Sequence, residues 1–194
     1  IKTNETKDFL SKIVSKFYKL KPKCIIAVTG TNGKTSVADF YYQILKLNNI
    51  PVATIGTLGI KLKTKTIKCS LTTPETVFLH RSLQKIKKQK IDNVIIEASS
   101  HGLDQNRLDD IPFKAAIFTN LSQDHLDYHK TMKSYFKSKL LLFKKILNKK
   151  KIVISDSSIK EFSNIKKICK KRKLKLVDIM KIENKLIKRI DLNL

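Results

Sequence analysis

The apolar run Ile25-Ile26-Ala27-Val28 leads directly into Thr29-Gly30-Thr31-Asn32-Gly33-Lys34-Thr35, and a helix-forming stretch opens at Ser36-Val37-Ala38. A loop of small residues between a strand and a helix N-terminus is the setting in which backbone N–H groups turn inward around phosphate oxygens. Gly30, Thr31, Asn32, Gly33, Lys34, Thr35 and Ser36 are therefore the candidate nucleotide-binding residues. Lys34 would reach the β and γ oxygens, and Thr35 would offer a hydroxyl to a magnesium ion. The usual spacing G-x-x-x-x-G-K-[ST] would put its first glycine at Val28. The loop is thus a Gly30-x-x-Gly33-Lys34-Thr35 variant, and the strand, loop and helix around it carry the reading.

That junction sits in an alternating pattern. Residues 24–29, 52–55, 93–98, 115–119, 151–155 and 174–177 are apolar runs of strand length, several apolar throughout, as strands buried on both faces are. Between them, residues 35–47, 75–88, 132–148 and 157–172 repeat apolar positions at three- and four-residue spacing; Phe136, Leu140, Phe143 and Leu147 form one such stripe. The order predicts an α/β fold, a mostly parallel sheet flanked by helices, with its ligand site beyond the carboxyl ends of the strands. Ahead of it, Phe9, Ile13, Phe17 and Leu20 mark an amphipathic helix ended by Pro22. Residues 1–22 read as a lead-in helix and linker, and residues 23–194 as the domain.

A chain of 194 residues can bury a genuine core. Its net charge of +25 would ordinarily point to nucleic acid or an anionic membrane. Of its 41 cations, however, 37 are lysines, a bias that codon composition produces on solvated surfaces, whereas base reading and stacking favour arginine and aromatics. Neither a nucleic-acid nor a membrane partner is expected, and a monomer is. The excess is densest late in the chain: residues 1–139 carry +13 and residues 140–194 carry +12. Cys24, Cys69 and Cys169 are odd in number with no C-x-x-C pair, so a disulfide framework and a zinc knuckle both lack support and a reducing cytoplasm fits best. The apolar runs are too short for a spanning helix, and Ile1 opens no leader pattern. A start without Met and the strand-like end Ile190-Asp191-Leu192-Asn193-Leu194 suggest a piece of a longer chain.

Four polar clusters lie near strand ends or helix starts. Leu71-Thr72-Thr73-Pro74-Glu75 places two hydroxyls before a proline at a helix start, which by itself is a good N-cap. Glu97 ends an apolar strand, a natural place for a magnesium ligand near the phosphate loop, and Ala98-Ser99-Ser100-His101-Gly102 follows it. Gln105 and Arg107, one residue apart, would point to one side of an extended loop, and arginine suits an acidic ligand. Residues 118–129 contain His125 and His129; His125 reads as a magnesium-site ligand and His129 as a loop hydrogen-bonder, since further zinc ligands are not evident.

Taken together, TGTNGKT at 29–35, TTPE at 72–75, EASSHGLDQNR at 97–107 and FTNLSQDHLDYH at 118–129 resemble the central ATP-binding domain of the Mur ligases. Among these they are most similar to the members that extend UDP-N-acetylmuramoyl-L-alanyl-D-glutamate. The phosphate loop is common to the wider superfamily, the other three segments are more selective, and the likeness covers residues 20–143. It implies an ATP-dependent carboxylate–amine ligase of peptidoglycan synthesis that adds a diamino acid through an acyl phosphate, with ATP and Mg²⁺ as cofactors. It further implies that Lys34 and Thr35 hold ATP and magnesium, that Glu97 and His125 ligate magnesium, and that Thr72, Thr73, Ser99, Gln105 and Arg107 hold the UDP-MurNAc-dipeptide. Lys139 matches the family lysine that becomes carbamylated and then ligates the second magnesium; by composition alone it would be one more surface lysine. Lys34, His125 and Lys139 are the implied catalytic residues. The family's N-terminal uridine-binding and C-terminal domains are not recognisable here, so the central domain reads as partial and inactive alone.

Two rivals remain at this level. A folylpolyglutamate synthase-like ligase would share the loop but is disfavoured by TTPE and SSHGL-x-Q-x-R; a basic nucleic-acid-binding module would rest on the charge of residues 140–194.

Overall fold

The computed structural model describes residues 6–182. In chain order these form α1 (Thr6–Phe17), β1 (Cys24–Thr29), α2 (Lys34–Leu47), β2 (Val52–Gly56), β3 (Gly59–Lys61), β4 (Thr66–Ile67), α3 (Thr76–Lys88), β5 (Asn93–Glu97), α4 (Ser100–Asp104), β6 (Ala115–Phe118), α5 (Leu126–His129), α6 (Met132–Leu141), a π-helical turn (Leu142–Ile146), β7 (Ile152–Ser155), α7 (Phe162–Arg172) and β8 (Lys175–Asp178). One eight-stranded sheet runs in the order β4-β3-β2-β5-β1-β6-β7-β8. From β2 to β8 every neighbouring pair is parallel. The expected α/β architecture is present, and the phosphate loop leaves the sheet from its central region.

β1 shows why the strands read as continuously apolar. Ile25 and Ala27 face the main core with Leu79, Leu83, Leu103, Phe143 and Ile165, while Val28 packs on the opposite face with Ala38 of α2 and Ile95. A strand covered on both faces has no polar side to alternate with. Burying each large aliphatic side chain contributes about 1.5–3 kcal/mol.

The structure departs from the sequence reading in five places. Residues 57–67 add an antiparallel extension, β3 on β2 and β4 on β3, with Gly56 paired to Gly59 across a two-residue turn. Strands of two or three residues are too short to show a period, so the pattern missed them. The helix expected over 157–172 begins only at Phe162, because the Asp178 and Asp156 carboxylates take the backbone N–H groups of Ser157 and Ser158 at 3.1 and 2.7 Å. The helix expected over 132–148 is α-helical only to Leu141, and a bond of 2.9 Å from Leu147 N–H to Leu142 O closes a wider turn that still buries Phe143 and Leu147. In α1 the helix forms but its expected stripe faces outward: Phe17 is 74 % exposed, whereas Ser11 and Val14 are buried. Ser11 donates to Asp110 at 2.8 Å, one of the polar contacts that set that helix's rotation. The loop holding Gln105 and Arg107 is a tight turn with Asn106 at φ 58°, not an extended segment. The strand-like residues 190–194 lie outside the described residues.

Candidate active site

The loop after β1 is held in shape by the loop after β6. Gly30 has φ +150°, and a Cβ there would stand 1.9 Å from Thr119 Oγ1 and 3.0 Å from Asn120 N, so the backbones of the β1 and β6 loops approach as closely as they do only because the residue is glycine. Asn120 O accepts from Thr31 N–H at 3.0 Å, Asn120 Oδ1 accepts from Asn32 N–H at 2.9 Å, and Thr119 Oγ1 donates to Asn32 O at 2.7 Å. α2 then begins at Lys34 with no side chain capping it, which leaves its first N–H groups for an anion. Lys34 folds back, donating to Gly30 O at 3.0 Å and Thr31 O at 2.7 Å. Burial lowers its pKa, against the pull of Glu97 and Asp124.

Glu97 ends β5 beside this loop and is 2 % exposed. Thr35 Oγ1 donates to its Oε2 at 2.8 Å, Thr57 N–H donates to its Oε1 at 3.0 Å, and Thr57 Oγ1 donates to Oε2 at 3.1 Å. Gly56 makes room for that carboxylate: a Cβ there would lie 2.0 Å from Oε1. Among the described residues no lysine, arginine or histidine forms an ion pair with Glu97. A buried carboxylate without a paired cation is costly. Its oxygens beside the Thr35 hydroxyl are the hard donors that Mg²⁺ takes, so the residues present fit that ion.

Lys139 reaches the same place from α6. It is 1 % exposed, its Nζ donates to Gly30 O at 2.7 Å, and the ammonium lies 4.3 Å from the Tyr135 ring centroid. Burial, aided by the charge of Lys34, pushes its pKa down to about 7 against a smaller pull from Asp124. His125 approaches from the β6 loop in a left-handed conformation, φ 52°, with its backbone N–H on Asp124 Oδ1 at 2.8 Å and its ring edge-on to His101 at 4.8 Å. Thr31 to Ser36, Thr57, Thr72, Glu97, Ser99, Ser100, His125 and Lys139 together line one cavity of about 240 Å³. Groups drawn from six segments of the chain thus converge at the carboxyl ends of β1, β2, β5 and β6.

The assigned dipeptide-binding residues divide. Thr72 is half-buried and lines the cavity, as does Ser99, whose Oγ also caps α4 by accepting from Gly102 N–H at 3.1 Å. Thr73 is buried and committed: its Oγ1 donates to Glu97 O at 2.7 Å and accepts from Ser99 N–H at 2.9 Å. Neither threonine caps α3, whose N-cap is Glu75. Arg107 donates to Thr73 O at 2.8 Å, pairs with Glu75 Oε1 at 2.9 Å and donates to Gln105 Oε1 at 2.5 Å. Gln105 in turn reaches the Tyr128 hydroxyl at 3.3 Å. Arg107 and Gln105 do converge, but on each other and on the 72–75 loop. His129 is buried, and its Nε2 has no hydrogen-bond partner among the described residues. No group of three or more His, Cys, Asp or Glu among the described residues could hold a metal, so the three neighbouring imidazoles of His101, His125 and His129 are not a zinc centre.

Residues 28–193 match the family model of the Mur ligase middle domain. The chain belongs to the Mur ligase family. Among curated proteins, the UDP-N-acetylmuramoyl-L-alanyl-D-glutamate–2,6-diaminopimelate ligase of Rhizobium meliloti (strain 1021) is 46% identical over 146 residues, 75% of this chain and 30% of that protein. The ligase of the same name from Rickettsia bellii (strain RML369-C) is 42% identical over 175 residues, 88% of this chain and 37% of that protein. A solved structure of a ligase of that name superposes with a TM-score of 0.75 at 28% identity, covering 90% of this chain and 35% of the other. A folylpolyglutamate synthase complex with AMPPCP superposes at 0.69 with 14% identity over 90% of this chain and 50% of that one, a likeness of fold alone. The chain spans about a third of the length of the curated relatives it matches.

Within this Mur ligase domain, sequence reasoning passed over Thr57 and Tyr135. Thr57 sits in the turn Gly56-Thr57-Leu58-Gly59, whose paired glycines were the available signal. Tyr135 is buried with its hydroxyl 3.2 Å from Thr31 Oγ1, and it carried no signal beyond its place in a helix.

Proposed function

We propose that this Mur ligase domain serves the ATP-dependent joining of 2,6-diaminopimelate to UDP-N-acetylmuramoyl-L-alanyl-D-glutamate in cytoplasmic peptidoglycan synthesis. The observation that carries the reading is the convergence of Lys34, Thr35, Glu97, His125 and Lys139 on one cavity beside a bare helix N-terminus. The names of the relatives at 42–46% identity supply the substrates. A γ-carboxylate oxygen of the D-Glu unit attacks the ATP γ-phosphorus and ADP leaves; the amine of the diamino acid then displaces phosphate from the acyl phosphate, losing a proton. Mg²⁺ when bound neutralises charge on the phosphates, and Thr35, Glu97, His125 and Lys139 are the residues that would hold it.

The chain's own groups supply the rest. Lys34 leaves its two carbonyl partners to bind the β and γ oxygens, and the N–H groups opening α2 orient them. Thr72 and Ser99 contact the dipeptide, while Thr73, Gln105 and Arg107 act by fixing the loop that presents Thr72. Lys139 takes up CO₂ to become a carbamate; deep burial and a lowered pKa favour the neutral amine that this addition requires. Residues 1–22 lead in from a preceding uridine-binding domain, and a C-terminal domain receives the diamino acid. No helix among the described residues is long and apolar enough to cross a membrane. We assign no nucleic-acid or membrane partner and a monomeric state.

Calorimetry with Mg-ATP tests the reading. Binding is expected to be weak and to vanish in Lys34→Ala; equal binding by both proteins would overturn it. A folate ligase would use the same loop, and the names of the relatives at 42–46% identity favour the peptide ligase.

A further inference from the structure

We infer that Thr57 is a positioning residue that couples the substrate loop at Thr72 to the metal-binding carboxylate of Glu97; this rests on the functional reading above. Thr57 Oγ1 lies 3.1 Å from both Glu97 Oε2 and Thr72 Oγ1. A hydroxyl has one proton, and an ionised carboxylate only accepts. Thr57 therefore donates to Glu97 and must accept from Thr72. The direction is fixed along the whole relay: Thr72 O–H to Thr57 Oγ1, and Thr57 O–H to Glu97 Oε2.

Each end of the relay has a distinct duty. At the Glu97 end, Thr57 supplies two of the three donors to the carboxylate, its N–H on Oε1 and its hydroxyl on Oε2, with Thr35 Oγ1 as the third. A carboxylate has about four acceptor sites, so these three fix its plane and leave roughly one for a cation. At the other end, Thr73 is bonded to the Glu97 carbonyl and the Ser99 amide and held by Arg107, so its side chain has no freedom. Thr72 is the half-buried member of the pair, and unlike Thr73 it lines the cavity. Its proton can be given to a ligand oxygen instead of Thr57. Capture of a substrate at Thr72 is thereby felt at Glu97 through one hydroxyl, and by linkage metal binding at Glu97 is felt at Thr72.

The test is a Mn²⁺ titration of the 194-residue chain by electron paramagnetic resonance in the presence of a non-hydrolysable ATP analogue, with thermal unfolding followed in parallel. Thr57→Val, near in shape but without the hydroxyl, should weaken Mn²⁺ binding about tenfold, the usual size of such an indirect effect on a metal. Thr57→Ser should restore affinity to within about threefold, which a mere packing role would not. Thr72→Val should weaken binding by about threefold, and the double variant Thr57→Val/Thr72→Val should be no worse than Thr57→Val alone, since both break one relay. Should Thr57→Val fail to fold, Thr57→Ser and Thr72→Val still decide: an unchanged affinity in Thr72→Val, or no rescue by serine, overturns the inference. Thr57→Val binding within about twofold of wild type while Glu97→Gln abolishes binding overturns it and leaves the functional reading standing. If wild type and Glu97→Gln bind Mn²⁺ alike, the functional reading fails and the relay with it.

Discussion

The two ends of the parallel sheet use lysine in opposite ways. At the amino end, Lys23, Lys114, Lys150 and Lys175 stand at or just before the starts of β1, β6, β7 and β8, all exposed. At the carboxyl end, Lys34 is half-buried and Lys139 is buried, and both donate to the single carbonyl of Gly30. Strand starts are also where helices end, so the amino-end lysines meet negative helix poles and solvent, and they cost nothing to keep charged. Two ammonium groups on one carbonyl, one of them against the Tyr135 ring, form an arrangement that folding alone gives no reason to maintain. The difference teaches that position relative to the sheet, more than residue type, tells structural from functional charge in so lysine-rich a chain.

The contrast can be broken or sharpened by substitution. Gly30→Ala should have the largest effect, destabilising the domain by about 3 kcal/mol or more in a denaturant titration, because the new Cβ would meet Thr119 Oγ1 at 1.9 Å with backbone of Asn120 just behind. Lys34→Ala should leave the melting temperature nearly unchanged yet weaken the already weak Mg-ATP binding about 100-fold, so that no binding heat is left in calorimetry, the worth of a lost charged hydrogen-bond set.

Lys139→Met should act in the opposite sense on stability. Its folded-state pKa of about 7 lies below that of the unfolded chain, so the unfolded state holds more protons between those values and stability rises with pH through that window. At pH 7 and below the buried cation is a burden, and Lys139→Met should stabilise the fold by about 1–3 kcal/mol, as replacing a buried charge by an apolar side chain commonly does. The gain should shrink as pH is raised toward 10, read from denaturant midpoints at each pH. An undiminished gain at high pH would mean packing, not charge, is responsible. Smallest of all, Lys150→Met and Lys175→Met at the amino end should stay within about 0.5 kcal/mol of wild type at every pH, as solvated surface positions do.

Most of the fold was legible because its signals are local. Continuous apolar runs alternating with three- and four-residue stripes give β1, β5, β6 and β7 and their helices, and the small-residue loop between β1 and α2 marks the site. The antiparallel extension was not legible, since β3 and β4 are shorter than any period that could announce them. Nor was the rotation of α1, which polar contacts of Asp8, Ser11 and Ser15 with Asn106, Asp110 and Lys145 set against the apolar stripe.

In the site, the sequence by itself determined the chemical inventory: the glycines, Lys34, Thr35, Glu97, His125 and, through the resemblance of its segment, Lys139. Only the tertiary structure decided which of these meet and which spend their polar atoms on the scaffold. Arg107 reads as a ligand group but holds Thr73 and Glu75; Thr57 carries no site signal in the sequence but supplies two of the three donors to Glu97. The reason is physical. Hydrogen bonds and desolvation act over a few ångströms in space, between groups 40 residues apart for Thr57 and Glu97 and 109 apart for Gly30 and Lys139, and no local pattern along the chain encodes which of those groups will be neighbours.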